Sequence, residues 1–170
     1  MIEQIAAFFT IEMIYLWLNI GVLPFWFVLI FFPQSKVCSL LVTSIFPFLI
    51  LGATYCYLIF YYFSTGYNFV ENFNLYKGLF DLSSLFENES FLILFWTHFL
   101  AANLFCGAWI VRDSLKFFIS KYLILVPLLV TYFIGPVGLI MYWVIRIFYA
   151  KKIGFIAVSY THLTLPTRRF

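Results

Sequence analysis

Charge is scarce in this sequence. Asp, Glu, Lys and Arg make up 10% of its 170 residues, and the balance is +3; a soluble domain averages about 25% charged. Such a balance excludes a nucleic-acid surface or an acidic substrate held by bulk charge. Cysteine is scarce as well. Cys38, Cys56 and Cys106 show no C-x-x-C spacing, so neither a zinc site nor a disulfide framework is indicated, and they read as small packing residues. His98 and His162 are the two histidines, too few for a metal site, which takes several ligands. There is no G-x-G-x-x-G, P-loop, G-x-S-x-G or H-E-x-x-H pattern. No metal, nucleotide or other cofactor is expected.

What the chain has in abundance is apolar surface. Hydrophobic residues reach 65% and the mean hydropathy is +1.02, which marks a membrane protein with little outside the bilayer. Aromatic residues reach 24%; an AT-rich coding sequence and a flat aromatic ligand would each favour them. Runs at about 11–32, 39–63, 90–111 and 122–145 are each long enough for a span of about 20 helical residues. The fold expected is all-α, an integral membrane bundle of four transmembrane helices over residues 1–157. Glu3 and Glu12 in place of a basic leader argue against a cleavable signal peptide. Val158–Thr167, VSYTHLTLPT, is similar to translated sequencing-adapter read-through. Residues 158–170, with His162, Pro166, Arg168 and Arg169, are therefore set aside as non-native, which lowers the charge from +3 to +1.

The sizeable loop, 64–89, holds four of the seven acids: Glu71, Asp81, Glu87 and Glu89. Leu75, Leu79, Leu82 and Phe86 recur there at helical spacing, as in a short amphipathic helix on the membrane surface; an irregular loop is the alternative. With four spans, the loop and both termini share one side. Lys77, Arg146, Lys151 and Lys152 then balance Lys36, Arg112, Lys116 and Lys121, and the positive-inside count is tied. Pro24, Pro47, Pro127 and Pro136 fall inside apolar runs. Each frees a carbonyl and kinks a helix, and Gly135-Pro136-Val137-Gly138 adds two sites of close backbone approach.

The third run, Phe95–Asp113, concentrates the polar residues. Polar side chains at membrane depth face the bundle interior and mark functional sites by default. His98 carries an imidazole, the side-chain type suited to moving a proton or orienting a ligand; a satisfied structural histidine is the alternative. Asn103 can bond across helices, with Asn19, Thr54 or Thr131 as partner. Asp113 beside Arg112 reads as an interfacial ion pair or an acid. Ala101, Ala102, Cys106, Gly107 and Ala108 allow close helix approach and suit a homodimer contact. Trp109 fits an interfacial anchor, while Trp96 lies deeper.

These residues also form a pattern. Trp96-x-His98-Phe99-Leu100-Ala101, Asn103-Leu104-Phe105-x-Gly107-x-Trp109-Ile110 and Asp113, followed by Gly135-Pro136-Val137-Gly138-Leu139, resemble the two motifs of the abscisic-acid-deficient-four-like membrane family. Leu23-Pro24-Phe25-Trp26 and Phe46-Pro47-Phe48 fit its first two spans. The resemblance implies a four-helix membrane protein. Plant members are required to form neoxanthin, an allenic xanthophyll, from violaxanthin, and bacterial members are widespread. It departs at Asn103, where the family usually has Asp, and at Ala108, often basic there.

Three functions follow as expectations. In a carotenoid isomerase-like or synthase-like enzyme, His98, Asn103 and Asp113 would be catalytic. Asn19, Phe95, Trp96, Phe99, Phe105, Gly107 and Trp109 would hold the polyene. In a non-enzymatic module the same polar groups bond helices together while the protein binds a carotenoid, a membrane lipid or a membrane partner. A small carrier is the third, and the scarcity of buried charge speaks against it. A bacterial inner (cytoplasmic) membrane is the expected location.

Overall fold

The computed structural model describes residues 10–150, and all regular structure among them is helical. Helix α1, Ile11–Phe31, opens at Thr10, whose hydroxyl accepts from the Met13 N–H at 3.3 Å, the usual work of an N-cap threonine. A π-helical turn, Cys38–Val42, leads into α2, Phe46–Ser64. Pro47 sits in the first turn of α2, where its missing N–H has no partner to lose. It starts a helix and kinks none, while Pro24 does lie inside α1.

A 3-10 segment, Phe69–Tyr76, and helix α3, Leu79–Glu87, fill the long loop. The expected amphipathic helix is thus present as α3. It turns Leu85 inward with Leu82 and Phe86 half-buried, but leaves Leu79 82% exposed. Helix α4, Glu89–Lys116, is capped by Asn88, whose side chain accepts from the N–H groups of Ser90 and Phe91. Helices α5, Lys121–Phe133, and α6, Gly135–Ala150, complete the fold. The α2 and α4 ends close alike. Tyr67 N–H returns to the Tyr62 carbonyl and Ile119 N–H to the Ser114 carbonyl, both at 2.9 Å. The residue before each closing bond is left-handed: Gly66 at φ 85°, but Phe118 at φ 53°, where glycine is the unstrained choice.

Helix α4 is the axis of the molecule. Helix α1 runs parallel to it, with Asn19 bonded to Trp96 and Trp26 packed on Gly107 further along. Helix α2 runs antiparallel, with Phe48 against Phe105 and Tyr62 against Ser90. The segments Ile11–Phe31, Cys38–Ser64 and Glu89–Lys116 are long and apolar enough to cross a membrane.

The fourth expected span is instead two shorter helices folded back on each other. Helix α5 climbs beside α4 to its midpoint, where the Tyr132 carbonyl meets Asn103 and the Tyr132 ring meets Trp26. The chain reverses at Ile134, φ −138° and ψ 80°. Helix α6 then descends past Asn103, Trp109, Asp113 and Phe117, which meet Gly135, Tyr142, Arg146 and again Arg146. A 13-residue helix reaches about 20 Å, short of a hydrocarbon core about 30 Å thick. Pro136 explains the break. In an unbroken helix its nitrogen would donate to the carbonyl of Tyr132, and proline has no N–H to give.

This hairpin re-routes the chain. Ala150 leaves on the side where α4 ends, opposite the long loop, so the two ends of the described region lie on opposite faces. Lys36, Arg112, Lys116 and Lys121 then share one face, against Lys77 on the other, among the described residues. The tie in basic residues is broken, and the richer face is the one that membrane proteins keep cytoplasmic. Glu3, Lys151, Lys152 and the tail 158–170 lie outside the described residues. With Cys38, Cys56 and Cys106 replaced, a membrane-impermeant thiol reagent should reach Phe118→Cys and Tyr149→Cys from one side and Phe73→Cys from the other. Labelling of Tyr149→Cys together with Phe73→Cys would mean four crossings.

Candidate functional site

Two polar clusters lie along the α4–α6 contact. The deeper one is at Asn103, which is 6% exposed. Its amide donates to the Tyr132 carbonyl at 3.5 Å, the acceptor that Pro136 leaves without its helical donor. Its Oδ1 lies so close to Gly135 that a Cβ there would collide with it. Irregular backbone at membrane depth survives only when its freed groups are met by protein, and Asn103 meets them here. Gly138 is tighter still: a Cβ there would collide with the Thr131 hydroxyl and backbone and stand 2.6 Å from the Pro127 carbonyl.

The second cluster is ionic. Asp113 Oδ2 accepts from the Tyr142 hydroxyl at 2.8 Å and from Arg146 Nε at 2.6 Å. The arginine and aspartate side chains are 1% and 3% exposed. The guanidinium also lies 4.7 Å from the Phe117 ring centre, and Trp109 packs edge-on against Tyr142. Asp113 is therefore paired with Arg146, 33 residues on, and not with its neighbour Arg112, which is exposed. Sequence reasoning had treated Arg146 as a loop charge and left Tyr142 unremarked. The available signal was an arginine closing an otherwise apolar run.

The other expected site residues are scattered. His98 is exposed on the outer side of α4, contrary to the expectation of an inward face. From residue 98 to 113 is about 22 Å of helix, so His98, Asn103 and Asp113 do not share one centre. Asn19 accepts from Trp96 Nε1 at 3.2 Å, leaving Asn103 to its own partners, and Phe99 stacks on Trp96. Phe95 packs on Phe86 and Phe91, and Phe105 is 61% exposed beside Phe48. The gap at Gly107 is filled by the chain itself, with the Trp26 ring 2.8 Å from where a Cβ would stand. No group of three or more His, Cys, Asp or Glu converges among the described residues.

Space for a ligand lies elsewhere. An apolar groove of about 720 Å³ runs between α1 and α2, lined by Trp17, Gly21, Val22, Phe25, Ile50 and Ala53 among others. These two helices barely touch each other, since both pack chiefly on their neighbours. A Cβ at Gly21 would meet nothing within 4 Å.

A family model described as ABA DEFICIENT 4-like matches residues 13–142. That range takes in α1 from its third residue, both polar clusters as far as Tyr142, and the reversal at Ile134. Protein ABA DEFICIENT 4, chloroplastic, from Arabidopsis thaliana is 28% identical over 105 residues, which cover 56% of this chain and 44% of that protein. The chain thus spans less than half the length of this curated relative. No solved structure matches.

Two stability tests follow. Removing one partner of a buried ion pair costs about 3–5 kcal/mol, so Asp113→Ala or Arg146→Ala should each lower unfolding stability by about that much. Asp113→Leu with Arg146→Met should lose far less than the two single losses together, a coupling readable in a denaturing-detergent titration. At the deeper cluster, Gly135→Ala should cost about 1–3 kcal/mol through overpacking, and Asn103→Ala in the same chain should recover part of it. Independent, additive losses would mean that these contacts do not hold the hairpin.

Proposed function

The chain belongs to the ABA DEFICIENT 4-like family, and on that premise we propose that it holds a carotenoid or related isoprenoid chain within the membrane. The observation that carries this reading is the groove between α1 and α2. It is long, almost wholly apolar, and lined by Trp17, Phe25 and Tyr57 together with Gly21 and Ala53. Ligand sites are concave and mainly apolar with a few polar groups, and Thr54 is such a group here. A rigid polyene suits a groove framed by rings and small residues, because it loses little conformational freedom on binding.

Binding is better supported than chemistry. The epoxide end of a xanthophyll needs a group that gives or takes a proton within reach. His98 faces outward, Asn103 is engaged by the hairpin, and Asp113 is tied to Arg146 and Tyr142. A role connected with neoxanthin, which the family resemblance implies for plant members, is compatible with holding the pigment for another catalyst. The location we propose is an inner, cytoplasmic bacterial membrane, with the basic face inward.

The test is an absorption spectrum of protein purified in mild detergent from a carotenoid-producing host, with the pigment then extracted and identified. A stoichiometric polyene is the expected result. Gly21→Leu, which projects into open space, should leave folding intact and lose the pigment. Colourless wild-type protein from a pigment-rich membrane contradicts the reading.

A further inference from the structure

A second cavity, of about 480 Å³, lies on the other side of the α2 entrance and differs in chemistry. Its lining includes Thr43, Ser44, Trp109, Arg112, Asp113 and Lys116, with Phe48 and Phe105 on its membrane side. Arg112 and Lys116 are four residues apart on α4, one turn above each other, and both are exposed. The carboxylate in the lining does not cancel them, because Asp113 is already bonded to Arg146 and Tyr142. The pocket therefore keeps two uncompensated cations, with two hydroxyl side chains opposite them on the chain before α2.

We propose that this pocket binds a phosphate group at the membrane surface. Arginine offers planar paired donors to a phosphate and lysine a mobile point charge, while Thr43 and Ser44, whose hydroxyls donate to the Ser39 and Leu41 carbonyls at 3.2 Å, add a polar wall. The cavity lies at the end of α4 that faces the basic side, with Trp109 in its wall. Interfacial tryptophan beside basic residues suits headgroup depth. Below it, Phe105, 61% exposed, and Phe48 continue the wall as apolar surface, which suits an acyl chain hanging from the phosphate. A free phosphate ion offers the same chemistry without the tail. The proposal is independent of the groove and its isoprenoid.

The experiment uses the whole chain in nanodiscs or detergent, with three probes: phosphatidylglycerol, phosphatidylcholine and inorganic phosphate. Retention is read by native mass spectrometry and binding by titration. We expect phosphatidylglycerol, whose phosphate leaves a net negative headgroup, to stay bound through delipidation, and phosphatidylcholine, whose choline cation offsets its phosphate and is repelled by Arg112 and Lys116, to be lost. Arg112→Gln with Lys116→Gln should weaken binding at least tenfold. Lys36→Gln with Lys121→Gln, removing the same charge from the same face outside the pocket, should change it little. All four side chains are surface residues, and an unchanged melting temperature in both doubles confirms folding. Inorganic phosphate binding that the pocket double abolishes, without lipid retention, assigns the site to a free ion. Equal retention of both lipids, equal loss in the two doubles, or no binding of any probe overturns the proposal.

Discussion

Arg146 is buried to 1% exposure near the end of an apolar helix, and it can remain there because Asp113 meets it. An unpaired guanidinium in such surroundings is costly enough to be rare. Here one carboxylate oxygen takes both the arginine and the Tyr142 hydroxyl, and Phe117 covers the cation. The pair joins residue 113 on the central helix to residue 146 on the last one. It therefore fixes the depth and direction of α6, and through α6 the position of the reversal at Ile134. Asn103, at the middle of α4, holds the other end of the same hairpin. Gly135 leaves room for the Asn103 side chain and Gly138 for the backbone of Pro127 and Thr131, where a Cβ would collide.

With the hairpin packed against α4 and α1, the other flank of the bundle is less filled. Trp26 is drawn onto Gly107 and Tyr132, which commits the inner face of α1 to the hairpin side. Helix α2 is held on α4 by Phe48 against Phe105 and Tyr62 against Ser90. What is left between α1 and α2 is the apolar groove. The groove is thus a consequence of where the two neighbours are anchored, and small residues at Gly21 and Ala53 keep it open. The proposed binding groove and the contacts that anchor the hairpin thus lie on different sides of the same three-helix core.

The helical class, the three long spans and the helix in the loop were legible because each is written in local pattern. Apolar length marked the spans, and the spacing of Leu75, Leu79, Leu82 and Phe86 marked a helix in the loop, although Leu75 falls in the 3-10 segment before α3 and Leu79 is exposed. The fold-back was not legible from hydropathy, because both limbs of residues 121–150 are apolar and a turn inside apolar sequence leaves hydropathy unchanged. Pro136 with Gly135 and Gly138 was the signal, read as a kink when the missing Tyr132–Pro136 bond in fact ends the helix. The site was half legible. Asn103 and Asp113 stood out as polar residues in an apolar run, but their partners are 29 and 33 residues away. His98 stood out equally and faces outward, since a single polar residue does not show which face of a helix the core will take. The groove rests on tertiary spacing between α1 and α2, which no local pattern encodes.

The central claim is that the Asp113–Arg146 pair holds a hairpin that enters and leaves on one face. Hydrogen–deuterium exchange of the wild-type protein and of Asp113→Asn, compared amide by amide in the same detergent, tests it most directly. The account expects slow exchange across residues 127–142 in the wild type and a selective loss of protection there in the variant, with α1 and α2 unchanged. Equal protection in both proteins, or a loss spread evenly over all the helices, would contradict it.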